Sequence, residues 1–504
     1  MRTISGFVLT VILIMSIHPF CWSQKHDNKW MLGYSYGPGI AQPALDFYFG
    51  YPDTIGFYGL FMLYNTNVSM CNAQGVLQFY TNGTQIANQL HSPLAGGMNF
   101  NNGPININNQ PLGVDQGAIG LPDPGSSTNY YLFHLSGGPY LTFYQPVQLK
   151  MSKIDMNLQG GLGQMVSTTN VLNTPILYRT LHAVKHGNGR DWWVVNGGFN
   201  SGQFFSLLLT PNGIDTTVIS NTPVIFPFGI VRGQSNFSQD GSTYALTYGD
   251  INQQVATNQV VVYNFDRCSG IFSHRETFAY HPTIDSTLHG CAFSPSGRYL
   301  YINTSLDLYQ YDLTAPIIAT TKTHIATYDY FMDPTYCTFY QMRLGPDNKI
   351  YMGNWNASSH VSVINSPDSA GAACNFVQHQ LPLISTYTGK LPHFPNYRLG
   401  PMTGSFCDTL TVGLDAISNP SSVIECYYAY NSLNIQLGSV PTKDMPYSIF
   451  EAKGQLIQSG ILTAQQGMKF KVEIRHLLND GVYLLHLGSN EFEYRKKFAV
   501  INSR

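Results

Sequence analysis

Four polar side chains occupy equivalent places in a repeated pattern, and they are the residues with which this sequence could bind a ligand. His182, Gln234 and Gln341 each lie seven residues before a turn glycine or Asn348, and His289 lies one residue earlier in its own repeat. Seven residues of strand span about 23 Å, so these side chains are expected at the end of the strands opposite to the turns. Uncharged donors and acceptors around a concave mouth would suit a neutral polar ligand such as a sugar. The alternative is that they only bond to one another and to channel water.

Two of the histidines have a spacing that binds metal ions in other contexts. His182 and His186 are four residues apart, which suits chelation on a helix. The alternating pattern around them predicts a strand instead, where the two imidazoles would lie about 13 Å apart. We therefore interpret His186 as a turn residue, and we predict neither a metal site nor a cofactor.

No catalytic residue is predicted. A nucleophile elbow requires a serine on a strand that turns sharply into a helix, and we predict no such turn. No glycine-rich phosphate loop precedes a helix in this sequence either. The net charge of −2 and the 11% of charged residues argue against a nucleic-acid partner. The pattern favours a binding protein for a glycan or a surface protein, and the alternative is a secreted hydrolase or lyase that acts on polysaccharide or peptide.

The elements that would position these residues are short strands. The chain contains 33 tyrosines, 29 phenylalanines, 47 glycines and 28 prolines. Such a composition favours strands joined by tight turns, since aromatic rings pack well on pleated surfaces. One unit recurs, consisting of an alternating run, a four-residue turn and an aromatic-rich run. Its turns end at Gly75, Asn129, Gly189, Gly241, Gly297 and Asn348.

The repeat length selects the architecture. A spacing of about 55 residues suits one four-stranded propeller blade, and the span 28–404 is long enough for about seven. We therefore predict an all-β fold, a seven-bladed β-propeller, rather than a row of immunoglobulin-like sandwiches with a longer period. The seventh blade is expected to combine strands from Cys374 to Pro401 with an N-terminal strand near Trp30. The aromatic column of Trp192, Tyr244, Tyr299 and Tyr351 is interpreted as packing between blades.

The cysteines predict an oxidised, exported protein. Cys268 with Cys291, and Cys337 with Cys374, each lie within one blade length, and these are the disulfides that we predict. An apolar run from Phe7 to Ile17 follows Arg2 and is too short for a membrane span, so residues 1–23 are predicted to be a signal peptide.

Several motifs resemble known families. Asn28-Lys-Trp-Met-Leu-Gly33, Gly75-Val-Leu-Gln-Phe-Tyr80 and Leu391-Pro-His-Phe-Pro395 resemble secreted propeller proteins of Bacteroidetes bacteria. Ala452-Lys-Gly-Gln-Leu-Ile457, Leu477-Leu-Asn-Asp-Gly-Val-Tyr483 and the basic final strand resemble the C-terminal sorting domain of type IX secretion.

The resemblance and the composition together define four regions. The signal peptide is followed by a propeller over 24–404, a Pro/Ser/Asn-containing linker over 405–420 and a small β-sandwich sorting domain over 421–504. The resemblance implies that the sorting domain engages the type IX secretion machinery. It also implies passage through the periplasm and across the outer membrane, to the cell surface or the medium, with no membrane span.

Overall fold

A computed structural model describes most of the chain. The described residues are 24–34, 39–101, 111–137, 147–226, 233–249, 258–280, 288–408, 425–429, 431–437, 444–451, 456–463, 468–475, 478–489 and 492–500. They form two compact units, one that ends at Asp408 and one that begins at Thr409. The predicted signal peptide and most of the predicted linker lie outside the described residues.

The first unit begins with meanders of short antiparallel strands. Three strands pair in the order β1-β2-β3: β1 Lys29–Met31, β2 Gln42–Asp46 and β3 Asp53–Phe57. Eight more form two four-stranded meanders that a single bridge between β7 and β11 connects: β4 Val68–Cys71, β5 Leu77–Thr81, β6 Gln85–Asn88, β7 Pro93–Met98, β8 Ala118–Pro122, β9 Asn129–Gly137, β10 Val147–Asp155 and β11 Gln164–Ile176.

Four separate four-stranded antiparallel sheets follow, each in sequential strand order. They are β12 His182–Lys185, β13 Trp192–Gly197, β14 Gln203–Thr210 and β15 Gly213–Asn221; β16 Ser235–Phe237, β17 Thr243–Tyr248, β18 Asn258–Asp266 and β19 Ile271–Tyr280; β20 Leu288–Phe293, β21 Tyr299–Thr304, β22 Asp307–Asp312 and β23 Thr323–Thr327; and β24 Phe339–Leu344, β25 Ile350–Asn354, β26 Ser358–Ile364 and β27 Phe376–Tyr387. Within the described ranges, short 3-10 helices lie at Gln159–Gly161, Ile318–Thr321 and Gly371–Cys374.

The turn chemistry explains why each meander folds where it does. The turn residues after the first strands have left-handed backbones, with φ of 76° at Gly189, 72° at Gly241, 75° at Gly297 and 63° at Asn348. Glycine adopts this region without a steric penalty, and asparagine tolerates it better than most residues. These four predicted turn positions are therefore confirmed, including the substitution of asparagine for glycine, whereas Asn129 is the first residue of β9.

The aromatic column forms part of the packing, as the sequence predicts. Trp192, Tyr244, Tyr299 and Tyr351 are all buried. The Tyr244 hydroxyl donates across to the carbonyl oxygen of Thr180 in the segment before the neighbouring sheet, at 3.1 Å. These rings fill the space between successive sheets, which a radial array of sheets requires.

A segment without regular structure, residues 388–408, crosses the middle of the first unit; we call it the central segment. It is hydrogen-bonded to residues in or beside the first strands β4, β8, β12, β16 and β24, through Asn67, Gly120, Leu181, Gln239 and Arg343 respectively. A single segment can contact the first strands of five meanders only where those strands converge. The centre of the unit is therefore filled with protein.

The predicted closure is wrong in its strand pairing. Residues 376–387 form the outer strand β27 of the last sheet, and β1 pairs with β2 instead. The first and last sheets meet through side chains: the Ser385 hydroxyl donates to Ala41 O at 2.8 Å and the Thr54 hydroxyl to Pro382 O at 3.3 Å. After Tyr387 the left-handed Gly389 and then Pro392 interrupt the strand pattern. The residues that follow Tyr387 therefore form the central segment.

The predicted disulfides are also wrong. Cys268 is bonded to Cys407, with a Cα–Cα distance of 5.5 Å, whereas Cys291, Cys337 and Cys374 are buried thiols. Cys291 lies on the first strand of the next sheet, where its sulfur faces Gln234 O. Cys407 reaches the turn that carries Cys268 only because the central segment returns there, which proximity in sequence does not reveal.

The second unit contains two antiparallel sheets around one hydrophobic core. Its strands are β28 Glu425–Ala429, β29 Ser432–Gln436, β30 Met445–Glu451, β31 Leu456–Leu462, β32 Lys469–Glu473, β33 Gly481–Ser489 and β34 Phe492–Val500. The sheets have the orders β28-β29-β32 and β31-β30-β33-β34. Leu433, Ile435, Ile449, Leu485 and Val500 are at most 1% exposed and belong to the shared core. Among the described residues there is no helix of the length and apolarity that a membrane crossing requires.

Removal of the disulfide should loosen the central segment. For a double Cys268→Ser, Cys407→Ser variant we expect a loss of about 4 to 5 kcal/mol in the free energy of unfolding, because the closed loop spans 139 residues. Urea unfolding under non-reducing conditions measures this loss. Cys337→Ser is the matched control, and peptide mapping that joins Cys268 to Cys291 would contradict the pairing.

Candidate functional site

The four predicted binding residues all lie at the start of first strands, but they do not form one open ring. His182 begins β12, Gln234 directly precedes β16, and His289 and Gln341 lie in β20 and β24. They are buried, with at most 6% of each residue exposed. Their contacts divide them into three different environments.

Gln234 holds neighbouring sheets together. Its side-chain amide donates to Met342 O at 2.7 Å, and its side-chain oxygen accepts from the backbone N–H of Met342 at 3.0 Å and of Cys291 at 3.1 Å. The side-chain amide thus pairs with Met342 of β24 as a strand backbone would, and it also bonds to Cys291 of β20. With these bonds, the Gln234 amide bridges backbone groups of two other sheets.

His182 is buried beside other polar side chains, Asn236 and His393. Its Nε2 donates to Asn236 Oδ1 at 3.3 Å, and its ring meets His393 edge-on at 4.9 Å between centroids. Burial, with a further contribution from Arg343, lowers the pKa of His182 to about 3. The imidazole is therefore neutral at physiological pH.

A charged and aromatic group of five residues forms the candidate site; we call Asp115, Arg179, Tyr340, Trp355 and Lys390 the mouth cluster. Asp115 Oδ2 accepts from Arg179 Nε at 3.0 Å and from the Tyr340 hydroxyl at 2.7 Å, and it forms an ion pair with Arg179 Nη2 at 2.8 Å. Lys390 Nζ lies 3.8 Å from the Tyr340 ring centroid and donates to Trp355 O at 2.7 Å. The cluster is buried except for Trp355, which is 37% exposed.

The electrostatics of Lys390 are unusual for a lysine. Burial lowers its pKa to about 7; Asp115 acts in the opposite direction, and Arg179 adds to the lowering. A lysine with this pKa exchanges a proton near neutrality, which is the property that a general base or a carbonyl-binding amine needs. Its ammonium form also has the geometry of a cation–π contact with Tyr340 and Trp355.

One of the predicted residues, His289, contacts this cluster. The His289 ring packs against the rings of Tyr340 and Trp355, at 5.3 and 5.2 Å between centroids. Gln341 follows Tyr340 along β24, and its side-chain nitrogen has no hydrogen-bond partner among the described residues. The structure therefore places His289 in contact with the mouth cluster and leaves the side-chain nitrogen of Gln341 unpaired within the described residues.

Asp115, Arg179 and Lys390 belong to the site but are not among the residues that the repeat pattern predicts. Asp115 and Arg179 each lie three residues before a first strand begins, and Arg179 has a left-handed φ of 69°. Charged residues at this position are conspicuous in a chain with only 11% charge. Arg232 and Asp285 likewise lie three residues before a first strand, β16 and β20 respectively, but they are outside the described residues.

A serine motif also escaped the sequence analysis. Residues 33–37 read Gly-Tyr-Ser-Tyr-Gly, which matches the Gly-x-Ser-x-Gly pattern. The motif follows strand β1 and leads into strand β2, whereas a nucleophile elbow leads into a helix. Ser35 itself lies outside the described residues.

Family comparison identifies the second unit. Residues 429–501 match the family model described as a secretion system C-terminal sorting domain. The predicted type IX sorting domain is thereby confirmed, and it implies a Bacteroidetes origin. The protein is exported across the outer membrane to the cell surface or the medium. No curated protein matches the chain.

Solved structures with similar folds are distant in sequence. The extracellular domain of a putative hybrid two-component system from B. thetaiotaomicron is 12% identical, with 95% of this chain and 56% of that chain covered and a TM-score of 0.38. A putative 6-phosphogluconolactonase from Bacteroides uniformis is 12% identical over 88% and 99%, with a TM-score of 0.34. The Cps50 β-propeller domain from Myceliophteria thermophila is 8% identical over 74% and 94%, with a TM-score of 0.29.

The lowered pKa of Lys390 predicts a specific pH dependence of stability. The unfolded chain holds the Lys390 proton up to about pH 10.5 and the folded chain only to about pH 7, so stability should rise with pH between these values. The slope from this one group is at most about 1.4 kcal/mol per pH unit. In Lys390→Met this contribution should vanish from urea unfolding curves recorded at pH 7 to 9.5. Lys469→Met removes an exposed lysine as a control, and parallel profiles for wild type and Lys390→Met would contradict the assignment.

Proposed function

We propose that the protein is an exported binding protein, a seven-bladed propeller whose ligand site is the mouth cluster. The three-stranded sheet, the two halves of the eight-stranded sheet and the four later sheets are seven successive antiparallel meanders, which supports seven blades. In this proposal the propeller covers 24–404, a linker covers 405–420, and the sorting domain covers 421–504 after removal of a signal peptide at 1–23.

A single observation carries the choice of site: unpaired polar atoms lie beside an exposed aromatic ring. Asp115 Oδ1 and Arg179 Nη1 are buried and have no hydrogen-bond partner within the described residues, and the same is true of Gln341 Nε2. Buried polar atoms in native proteins nearly always have partners, so these atoms point to water or a ligand. Trp355 is 37% exposed, and its indole packs at 5.0 Å between centroids on the ring of Tyr340, whose hydroxyl donates to Asp115.

This combination suits a neutral polar ligand such as a glycan. The C–H faces of a sugar ring pack on aromatic rings, while its hydroxyls pair with carboxylate, guanidinium and amide groups. The low net charge of the chain, −2, provides no general field that would favour a strongly charged polymer. Of the originally predicted residues, His289 and Gln341 belong to this proposed site, whereas Gln234 and His182 support the framework around it.

Lys390 supports a second candidate function, a hydrolase or lyase with its site at the same mouth. A lysine whose pKa is about 7 could abstract a proton, and the Tyr340 hydroxyl bonded to Asp115 could donate one. Asp115 is the carboxylate that faces both cations of the cluster. Its Oδ2 is already bonded to Arg179 and Tyr340, which favours a role in positioning them over a role as a nucleophile.

Binding to a glycan array with the full mature chain tests the proposal. Trp355→Ala should lower the affinity for any glycan that binds by at least tenfold, because stacking on one aromatic ring contributes a large share of such binding. Tyr330→Ala removes an aromatic residue that is 73% exposed and stands outside the mouth cluster, so it should leave binding unchanged.

The same array separates the two candidate functions. Cleaved glycans that appear with wild type and disappear with Lys390→Met would establish the hydrolase or lyase. Binding without cleavage, sensitive to Trp355→Ala, would establish the binding protein. Equal loss of binding in Trp355→Ala and Tyr330→Ala would contradict the mouth as the site.

The sorting domain should be required for export and dispensable for folding of the first unit. The two units have separate hydrophobic cores, so deletion of residues 421–504 should leave the truncated protein in the periplasm, folded and with Cys268 bonded to Cys407. Fractionation with non-reducing electrophoresis measures both properties. Normal amounts of the truncated form in the medium would refute this role.

A further inference from the structure

A small recess lies at the other end of the first strands from the mouth cluster. It is lined by residues of β12, by the last residues of β16, β20 and β24, and by the central segment, and its polar side chains include Asp27, His182, Asn236, Ser238, Arg343 and Arg398. Its volume is ≈ 60 Å³, which is room for a small polar group and far less than a drug-sized ligand needs. Any ligand group that enters must therefore be small.

Two residues of the recess, Arg343 and Asp27, each have a buried side-chain atom without a hydrogen-bond partner among the described residues, and Arg343 is the cation of the two. Its Nη1 donates to Asn236 Oδ1 at 3.0 Å and to Phe394 O at 3.1 Å, and its Nη2 donates to His393 Nδ1 at 2.8 Å. All of these acceptors are neutral. Arg343 Nε has no hydrogen-bond partner among the described residues, although Arg343 is only 7% exposed.

The other charges around the recess do not neutralise Arg343. Asp27, the carboxylate in the lining, is ion-paired with Arg398 through Oδ2, and its Oδ1 has no hydrogen-bond partner among the described residues. Asp240, near the recess in the turn after β16, accepts bonds from the Ser238 and Ser242 hydroxyls and faces the separate Arg267 guanidinium. His182 and His393 are buried beside Arg343 in their neutral forms. The lining side chains thus carry one uncompensated positive charge.

We propose that this recess binds a single carboxylate group, held by the guanidinium of Arg343. A planar carboxylate matches the fork of a guanidinium, and a charge-assisted bond to Nε would complete the bonding of that side chain. A buried cation with only neutral partners is costly, and a bound monoanion offsets that cost. The site is separate from the mouth cluster, so the proposal does not depend on the glycan site.

The source of the carboxylate can be a free small acid or the end of a peptide, and both share this chemistry. The full mature chain is therefore titrated with sodium acetate, N-acetylglycine and N-acetylglycinamide at constant ionic strength, and the midpoint of thermal unfolding is recorded. Acetate should raise the midpoint in a saturable manner, because it binds the folded state. A response to N-acetylglycine as well would identify a peptide terminus as an accepted source, whereas the amide should have no effect.

Two variants assign the effect to Arg343. Arg343→Met should weaken the response to acetate at least tenfold, and Arg343→Lys, which keeps the charge, should retain part of it. Lys469→Met, on the second unit, should respond as wild type does. An equal response to acetate and to the amide, or an unchanged response in Arg343→Met, would overturn the proposal.

A measurement on the wild-type protein covers the case in which Arg343→Met does not fold. Crystals soaked in sodium formate should show difference density for a planar anion within hydrogen-bond distance of Arg343 Nε. Density for water alone at saturating formate would overturn the proposal independently of any variant.

Discussion

The structure of the first unit depends on the central segment, which occupies the place where the first strands of the sheets converge. Residues 388–408 hydrogen-bond to residues in or beside β4, β8, β12, β16 and β24, and Cys407 is bonded to Cys268 at the far end. A radial array of sheets leaves polar backbone and side chains at its centre, and these need partners. The central segment supplies many of those partners, so the sheets that it contacts are held both to their neighbours and to one common element.

Filling the centre has an electrostatic consequence. Arg179, Arg343 and Lys390 are removed from water, and only Arg179 has a direct carboxylate partner, Asp115. Burial lowers the pKa of Lys390 to about 7 and leaves Arg343 among neutral acceptors. Buried, incompletely paired charges are a poor source of stability and a common feature of binding and catalytic sites. The two ends of the filled channel thus acquire different chemistry: a charged and aromatic mouth at one end and a small cationic recess at the other.

The candidate site was only partly predictable. Alignment of the repeats found the column of His182, Gln234, His289 and Gln341 at the starts of first strands, which is correct in register. It could not show that the Gln234 amide bonds to backbone groups on two other sheets, because those bonds join residues 57 and 108 positions apart. Nor could it select Lys390, which stands in no repeat and reaches Tyr340 only through the path of the central segment.

The sequence by itself determined the all-β class, the repeated four-stranded units, the turn residues and the sorting domain, because these follow from local patterns: alternation, left-handed turn positions such as Asn348, and contiguous motifs. Only the tertiary structure decided the disulfide partner of Cys268, the strand composition of the first and last sheets, and the surroundings of Arg343 and Lys390. These depend on where the central segment runs after Tyr387. Its course is set by simultaneous contacts with the first strands of five meanders, and no local pattern in the chain encodes a contact that many strands share.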